Sequence, residues 1–411
     1  MKFSKYSLMS FASMVIPAVF PILVLSLSAR YLGDGEFGAY LIIMTILGYS
    51  GLLELGMSRA LVKQFSTEHQ DSEASLITFS TGFFTMLVLG CLATLLLYGG
   101  VNLAPLFSIE FPQTVILGIK VSVFALPAIL LAQVFYAYLE GALRYTTILK
   151  VKIGCSGLEA LLLIGTLLLW GDLVPMMIAF VIGKYFSFGF LFLYCSGRSL
   201  IHIECFSADK VRYMLGFGGW LTLSSIIGPI MVYFDRFFVS GTLGLAMSEQ
   251  YLAVSELAIK VAIIPTAIAR VVFVLMARLS VDDNRESKLG YTTVLIGVVP
   301  ILMGLIVFAE PILSLLFSGK ATPLAVSAFQ VLCVGLVFNA FAQIPFAKLL
   351  AAGYSKTTAL IHLSELFPYL LLLYFAIERF GIIGVALVWS LRCLLDCVAM
   401  LIASRRMLIA R

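Results

Sequence analysis

The sequence predicts an all-α membrane protein with about twelve transmembrane helices, and three observations support this fold class. First, 61% of the 411 residues are hydrophobic and only 12% are charged, whereas soluble domains are about 45–50% apolar and about 25% charged. Second, the apolar residues form runs of about 20 residues, the length that crosses a bilayer. Third, these runs are apolar on both faces, which predicts helices because strands of a membrane barrel alternate in polarity. A water-soluble fold is thereby excluded.

Twelve such runs can be marked along the chain. The first is interpreted as a retained helix rather than a signal peptide, because it is longer than a signal core and contains Pro17 and Pro21. The predicted spans are residues 7–29, 38–57, 74–98, 114–139, 148–170, 174–195, 215–239, 251–277, 291–316, 324–349, 358–377 and 382–404. The segments between them are short, which leaves no room for a separate soluble domain.

The positions of the basic residues predict that both termini face the cytoplasm. With a cytoplasmic N-terminus, 18 of the 27 Lys and Arg residues fall on the cytoplasmic side, three on the outer side and six within spans. Lys and Arg are enriched in the cytoplasmic loops of membrane proteins, so this distribution favours that orientation. No basic stretch is long enough to follow a phosphate backbone, which argues against nucleic acid as a partner.

The two halves of the chain carry related motifs at matching places. The pattern Leu-Gly, six residues, Tyr-Leu begins at Leu32 and again at Leu243, an offset of 211 residues. Arg30 and Arg236 each lie 19 residues after a phenylalanine. Six spans per half give both halves the same orientation, which is typical of parallel repeats in transporters. The predicted domains are an N-terminal six-helix bundle (1–195), a cytoplasmic linker (196–213), a C-terminal six-helix bundle (214–404) and a basic cytoplasmic tail (405–411).

Four short motifs follow one another along the chain: ARYLGDGEFGAY at 29–40, LELGMSR at 53–59, GALR at 141–144 and YFDRFF at 233–238. Together with the length and span number, they resemble Wzx-type O-antigen and polysaccharide flippases of the multidrug/oligosaccharidyl-lipid/polysaccharide (MOP) exporter superfamily. The resemblance implies a V-shaped pair of bundles that moves undecaprenyl-pyrophosphate-linked oligosaccharide repeat units by alternating access. It implies transport from the cytoplasmic to the periplasmic leaflet of the bacterial inner membrane, with the lipid bilayer and other O-antigen assembly proteins as partners.

Charged residues near or within the spans are the candidate site residues. A charge in a span costs about 2.5–3.5 kcal/mol on insertion scales, so it needs a partner or a hydrated cavity. Two adjacent phosphates favour several cations, and arginine offers a planar fork of donors. The cations predicted to line a pyrophosphate and sugar cavity are Arg30, Lys184, Arg236, Lys260 and Arg392. The carboxylates predicted to pair with cations or to couple transport are Asp235, Glu256, Asp396, Glu54, Glu159 and Glu365.

The spacing of some of these residues leaves a structural interpretation open. Glu256 and Lys260 are four residues apart, as are Arg392 and Asp396, so each pair shares one helix face and can form an ion pair. Such pairs lock helices together in lipid without touching a ligand. Coupling to H⁺ or Na⁺ is a further possibility that the carboxylates leave open.

Catalysis, a metal site and a cofactor are not predicted. The seven cysteines show no C-x-x-C spacing and the three histidines are far apart, which argues against a metal site. No phosphate-binding loop of the G-x-x-x-x-G-K-[ST] type occurs, and no nucleophile, base and orienting group can be assembled from neighbouring motifs. Two alternatives remain: an organic-cation multidrug antiporter of the same superfamily, and a membrane glycan polymerase, which the short outer loops disfavour. The spans hold six cations and six carboxylates, a balance that does not favour a cationic drug.

Overall fold

The computed structural model consists almost entirely of α-helices joined by short turns, and no strand occurs among the residues that it describes. Those residues are 2–33, 35–49, 53–68, 72–103, 112–195, 197–217, 219–278, 285–317, 319 and 321–409. The predicted all-α membrane class is confirmed, because the long helices are apolar enough to cross a bilayer.

The helices are numbered here in chain order. The first half of the chain forms α1 (Lys2–Val15), α2 (Val19–Tyr31), α3 (Glu36–Gly48), α4 (Met57–Thr67), α5 (Glu73–Leu103), α6 (Gln113–Ser122), α7 (Ala125–Gly141), α8 (Tyr145–Trp170) and α9 (Leu173–Tyr194). A connecting segment follows, with α10 (Gly197–Leu200), a 3₁₀ turn (Ile203–Cys205) and α11 (Ala208–Phe217). The second half forms α12 (Gly219–Leu243), α13 (Leu245–Arg278), α14 (Arg285–Thr293), a π-helical turn (Val294–Val298), α15 (Val299–Val307), α16 (Ala309–Leu316), α17 (Pro323–Ala351) and α18 (Ser355–Ile409).

Ten described helical segments are long and apolar enough to span a membrane. One of them, Ser355–Arg406, has 52 residues, which is about 78 Å of helix against a hydrocarbon core of about 30 Å. It contains two spans, because Gly381 leaves the helical conformation (φ 55°, ψ −142°) between the predicted spans 358–377 and 382–404. Glycine has no Cβ and adopts a positive φ without a steric penalty.

The predicted span 38–57 differs from the structure. Its apolar part forms the 13-residue helix α3, which ends at Gly48, and α4 begins only at Met57. Gly56 precedes α4 with a φ of 73°, a value that excludes a continuous right-handed helix. At 1.5 Å per residue α3 is about 20 Å long, so it is shorter than the predicted run.

The chain divides into two compact units. Unit 1 comprises Met1–Met9 and Tyr31–Pro229, and unit 2 comprises Ser10–Arg30 and Ile230–Arg411. The first predicted span therefore lies mostly in unit 2, where the Ser26 hydroxyl donates a hydrogen bond to the Leu316 carbonyl at 2.7 Å. That carbonyl ends α16, and carbonyls of a last helical turn lack partners within their own helix. The predicted bundles 1–195 and 214–404, the linker 196–213 and the tail 405–411 do not coincide with these units and stay predictions.

The core of unit 1 is aromatic. The ring of Phe79 makes edge contacts with Phe135 and Tyr138, at centroid distances of 5.1 and 5.5 Å, and Phe65 contacts Tyr138 at 5.4 Å. Gly141, the first residue of the GALR motif, lies against Phe65. A Cβ at position 141 would be 2.4 Å from the Phe65 Cβ, so glycine is required for α4 and α7 to approach this closely.

Candidate functional site

A buried ion-pair triad links α12 and α13 in unit 2. The Glu256 carboxylate lies between two cations: Arg236 Nη1 is 2.5 Å from its Oε2, and Lys260 Nζ is 2.7 Å from its Oε1. Glu256 and Lys260 are one turn apart on α13, whereas Arg236 comes from α12. The Arg236 side chain is fully buried, and that of Lys260 is 24% exposed. One carboxylate therefore holds a buried cation on one oxygen and a more accessible cation on the other.

Asp235, next to Arg236, takes a different partner. Its carboxylate accepts a hydrogen bond from the Tyr251 hydroxyl, and both side chains are buried. The Arg236 guanidinium in turn lies 5.3 Å from the centre of the Tyr233 ring. Sequence reasoning selected Asp235 and Arg236 but did not select Tyr251 or Tyr233. The sequence of an apolar span does not show which of its aromatic residues contacts a charged group.

Arg392 lies between two aromatic rings on the second part of the chain's longest helix, α18. Its guanidinium carbon is 5.6 Å from the centre of the Tyr369 ring and 5.5 Å from that of Trp389. Its Nη2 donates to Cys393 Sγ at 3.3 Å. Only 8% of the Arg392 residue is exposed, and the two rings stabilise its charge by cation–π interactions.

His362, in the first part of α18, lies close to Asp396, in the second part. His362 Nε2 is 3.6 Å from Asp396 Oδ1, although the sequence spacing suggested Arg392 as the partner of Asp396. Glu365 lies one turn beyond His362, and both of its carboxylate oxygens are buried without a hydrogen-bond partner among the described atoms. Sequence reasoning missed His362 as a site residue. The signal was available, because the spacing between His362 and Glu365 places an imidazole and a carboxylate on one helix face.

These groups form one set of charges in unit 2. Arg392 acts electrostatically on Asp235 from α18, and Asp396 and Arg392 act on Glu365. We call this set the unit 2 charge cluster; it consists of Arg236, Lys260, Arg392, Asp235, Glu256, Glu365, Asp396 and His362. With a neutral histidine, the cluster contains three cations and four carboxyl groups.

Lys184 and Glu159 form a second ion pair, in unit 1. Lys184 Nζ on α9 is 2.8 Å from Glu159 Oε2 on α8, and it lies 4.8 Å from the centre of the Phe180 ring. The two charged side chains are 27% and 17% exposed. Sequence spacing indicated no partner for Lys184, because the partner lies 25 residues away on the neighbouring helix.

Two of the predicted site residues remain, Arg30 and Glu54. Arg30 is exposed near the end of α2, and Glu54 accepts a hydrogen bond from the Ser58 hydroxyl at the turn before α4. Within the described part of the chain, no group of three or more His, Cys, Asp or Glu side chains is arranged to hold a metal ion. The structure therefore assembles nine of the eleven predicted residues into two clusters, one in each unit.

Comparisons with known proteins define the class. Residues 27–324 match the family described as "Polysaccharide biosynthesis protein". A protein from Shigella flexneri named "Putative O-antigen transporter" is 32% identical over 418 residues, which covers 96% of this chain and 96% of that protein. An inward-facing multidrug resistance MATE family transporter of the MOP superfamily has a TM-score of 0.76 with 15% identity and covers 98% of both chains. A MOP superfamily transporter from Pyrococcus furiosus has a TM-score of 0.70 with 16% identity, over 99% of this chain and 95% of that one.

The helices and the buried charges thus belong to a multi-pass membrane protein with the fold of MOP superfamily transporters. The chain belongs to the polysaccharide biosynthesis protein family, since the family match spans well over half of it and the Shigella flexneri relative aligns along almost all of it. The resemblance to O-antigen and polysaccharide flippases that the four sequence motifs indicated is confirmed at the level of the family.

Proposed function

We propose that this protein is a flippase that moves undecaprenyl-pyrophosphate-linked O-antigen repeat units from the cytoplasmic to the periplasmic leaflet of the bacterial inner membrane. The main support is the 32% identity to the Shigella flexneri protein named "Putative O-antigen transporter", over 96% of both chains. A pyrophosphate and its sugars cannot cross hydrocarbon unaided, because burying unpaired charges and polar groups is prohibitively costly. In this proposal the protein performs transport and no catalysis, its termini are cytoplasmic, and other O-antigen assembly proteins supply and consume the lipid-linked substrate.

Lys260 is the cation proposed to take the pyrophosphate in unit 2. Leaving a buried charge without a partner is strongly unfavourable. When Lys260 turns towards a phosphate, however, Glu256 keeps Arg236 at 2.5 Å and remains neutralised. Lys260 can therefore exchange its carboxylate for a phosphate oxygen at low cost. Arg236 and Arg392, which are 0% and 8% exposed, act in this proposal as positioning residues that hold the carboxylates and the helices around Lys260.

Lys184 in unit 1 and Arg30 in unit 2 are each proposed as further cations that bind phosphate. Arg30 is exposed and presents a planar fork of donors suited to phosphate. Lys184 differs from Lys260 because its partner Glu159 has no second cation in the ion pairs of the described residues. Transfer of Lys184 to a phosphate therefore leaves a carboxylate that a proton would neutralise.

We further propose that transport is coupled to an inward-moving cation, H⁺ or Na⁺, through the unit 2 charge cluster. Its four carboxylates outnumber its three cations, and Glu365 has two buried oxygens without a hydrogen-bond partner in the described structure. Binding of one H⁺ or Na⁺ at Glu365 makes the numbers of positive and negative charges in the cluster equal. Charges interact strongly in a low-dielectric interior, so cation binding at Glu365 changes the relative stability of the transporter's conformations. Coupling between cation movement and transport requires such a change. Glu54, in its turn before α4, is a second candidate for the same role.

The decisive experiment measures flipping with purified protein in liposomes. A fluorescent undecaprenyl-pyrophosphate oligosaccharide is reconstituted in both leaflets, and a membrane-impermeant reductant is added outside. Without protein, only the outer leaflet is bleached; with the flippase, the inner leaflet should also be bleached at a rate that depends on the amount of protein. The variant Lys260→Met should slow this rate, whereas the matched control Lys120→Met should not. Lys120 also lies in a predicted span, but its ammonium group is placed over the Tyr98 ring, 5.6 Å from its centre.

The same liposomes test the alternatives. Ethidium transport without bleaching of the inner leaflet would establish a multidrug antiporter instead. A covalent change of the oligosaccharide, seen as a mass increase by one repeat unit, would establish a polymerase. Either result would overturn the flippase proposal.

A further inference from the structure

The segment between the two halves of the chain is held against unit 1 on one side. This linker segment, Gly197–Phe217, comprises α10, the 3₁₀ turn and α11. Leu200 and Met214 are buried in the hydrophobic core of unit 1. The Ser80 hydroxyl of α5 donates to the Leu200 carbonyl at 3.0 Å and accepts from the His202 amide at 3.1 Å. The segment therefore has a fixed inner face.

Lys210 adds a polar anchor on the same side. Its ammonium group donates to Glu68 Oε1 at 2.9 Å and to the Ala74 carbonyl at 3.0 Å, and it contacts the Thr78 hydroxyl. All three acceptors lie at or just before the beginning of α5. The three donor protons of one ammonium group can be used fully in this way, which fixes α11 at that end of the helix.

The opposite side of the linker segment exposes large apolar side chains. Ile203 is 74% exposed and Phe206 is 45% exposed. The same kind of surface precedes the segment on the last turn of α9, where Leu193 is 77% exposed and Tyr194 is 52% exposed. Helix α9 is long and apolar enough to span a membrane, and the exposed apolar surface of such a helix is suited to contact with lipid. The apolar surface of the linker segment follows this surface along the chain.

The depth of the segment can be judged from α5. This helix provides a span of 30 residues, about 45 Å, which exceeds a hydrocarbon core of about 30 Å by several turns. Ser80 lies seven residues after Glu73, the first residue of α5, and so about 10 Å along the helix. If this excess is shared equally between the two ends of α5, the hydrocarbon core begins about 8 Å along the helix, near Ser80, so the linker segment is hydrogen-bonded to α5 close to that level.

We propose that the linker segment lies in the boundary between lipid head groups and acyl chains, with Ile203 and Phe206 inserted among the lipids. Segments with one protein-bound or polar side and one apolar side occupy this boundary, and aromatic residues are enriched there. Tyr213, 50% exposed on α11, has the amphipathic ring that suits the head-group level. The partner is the bilayer itself, and the surface is separate from the groups assigned to the substrate.

Photo-crosslinking in the full-length protein tests this proposal. Benzoylphenylalanine is incorporated at Ile203, or at the neighbouring exposed residue Glu204 as a matched control, and the protein is placed in nanodiscs of phosphatidylethanolamine and phosphatidylglycerol. After irradiation, mass spectrometry of the intact protein should show lipid adducts at position 203 in several-fold excess over position 204. Position 206 provides a second site if the first variant does not fold.

Two results would overturn the proposal. The first is an equal yield of lipid adducts at 203 and 204, which would mean that the apolar side is not directed at lipid. The second is the replacement of lipid adducts at 203 and 206 by crosslinks to peptides, which would show a protein partner instead. The readout does not involve transport, so it is independent of the flippase proposal.

Discussion

Glu256 binds two cations that differ in burial, Arg236 and Lys260. We therefore expect that one variant of this triad loses stability and that another loses transport. In Glu256→Gln, Arg236 loses the carboxylate at 2.5 Å while its side chain remains fully buried. In Lys260→Met, Glu256 keeps Arg236, and only a side chain that is 24% exposed is changed. The first variant should therefore be destabilised, whereas the second should be stable but defective in flipping.

The magnitudes follow from burial. Removing one partner of a buried ion pair costs about 3–5 kcal/mol, whereas a partly exposed pair contributes about 0–1 kcal/mol. For a unit of about 200 residues, each kcal/mol corresponds to roughly 2–4 °C in melting temperature. Glu256→Gln should therefore lower the melting temperature by about 6–20 °C, and Lys260→Met should lower it by no more than about 4 °C.

Thermal unfolding is measured by intrinsic fluorescence on protein extracted in polymer-bounded native lipid, and flipping is measured by the liposome assay above. Lys120→Met serves as the control in both. Equal melting temperatures for Glu256→Gln and wild type would show that Arg236 does not depend on Glu256. Wild-type flipping in Lys260→Met would remove Lys260 from the proposed head-group ligands.

Three further predictions concern other parts of the molecule. Glu365→Gln should abolish the dependence of flipping on a pH or Na⁺ gradient without lowering the melting temperature, because its carboxylate makes no hydrogen bond with the described part of the chain. Gradient-dependent flipping in this variant would contradict the coupling role. Gly141→Val should destabilise the protein by about 1–3 kcal/mol through overpacking, since a Cβ there would be 2.4 Å from the nearest atom. The control Gly154→Val, at a helical position where a Cβ would have nothing within 4 Å, should lower the melting temperature less; equal shifts would refute the packing argument. Lys184→Met should slow flipping and lower the folded yield, because Glu159 loses its partner. Adding Glu159→Gln should restore part of the folded yield, because the double variant removes both members of the pair; a double variant with a lower folded yield than Lys184→Met would be inconsistent with their pairing.

The membrane spans could be predicted from the sequence because the bilayer imposes the same requirement on every segment that crosses it. Each span must satisfy its backbone polar groups internally and present an apolar surface, and both properties are visible in local sequence. The same reasoning failed for the run 38–57, where α3 ends at Gly48 and Gly56, at a φ of 73°, precedes a separate helix that begins at Met57. Hydropathy measures the cost of burial, and it does not measure where the backbone turns.

The candidate site was predictable only where its pairs lie within one helix. The spacing of Glu256 and Lys260 indicated their pair, because residues four apart share a helix face. Arg236 joins them from another helix, and the partner of Lys184 lies 25 residues away. Asp396 lies close to His362 rather than pairing with Arg392, and this contact depends on how the two parts of α18 are rotated about their axes. No local spacing encodes that rotation.

The sequence by itself therefore determined the class of protein and the identity of the charges within its apolar runs, because the free energy of placing a residue in hydrocarbon depends mainly on that residue and its close neighbours along the chain. The tertiary structure alone decided which cation faces which carboxylate, that Arg236 is buried while Lys260 is partly exposed, and that Glu365 has no hydrogen-bond partner among the residues that the structure describes. The physical reason is that an ion pair between helices depends on distances of a few ångströms, and these are set by the packing of side chains distant in the sequence.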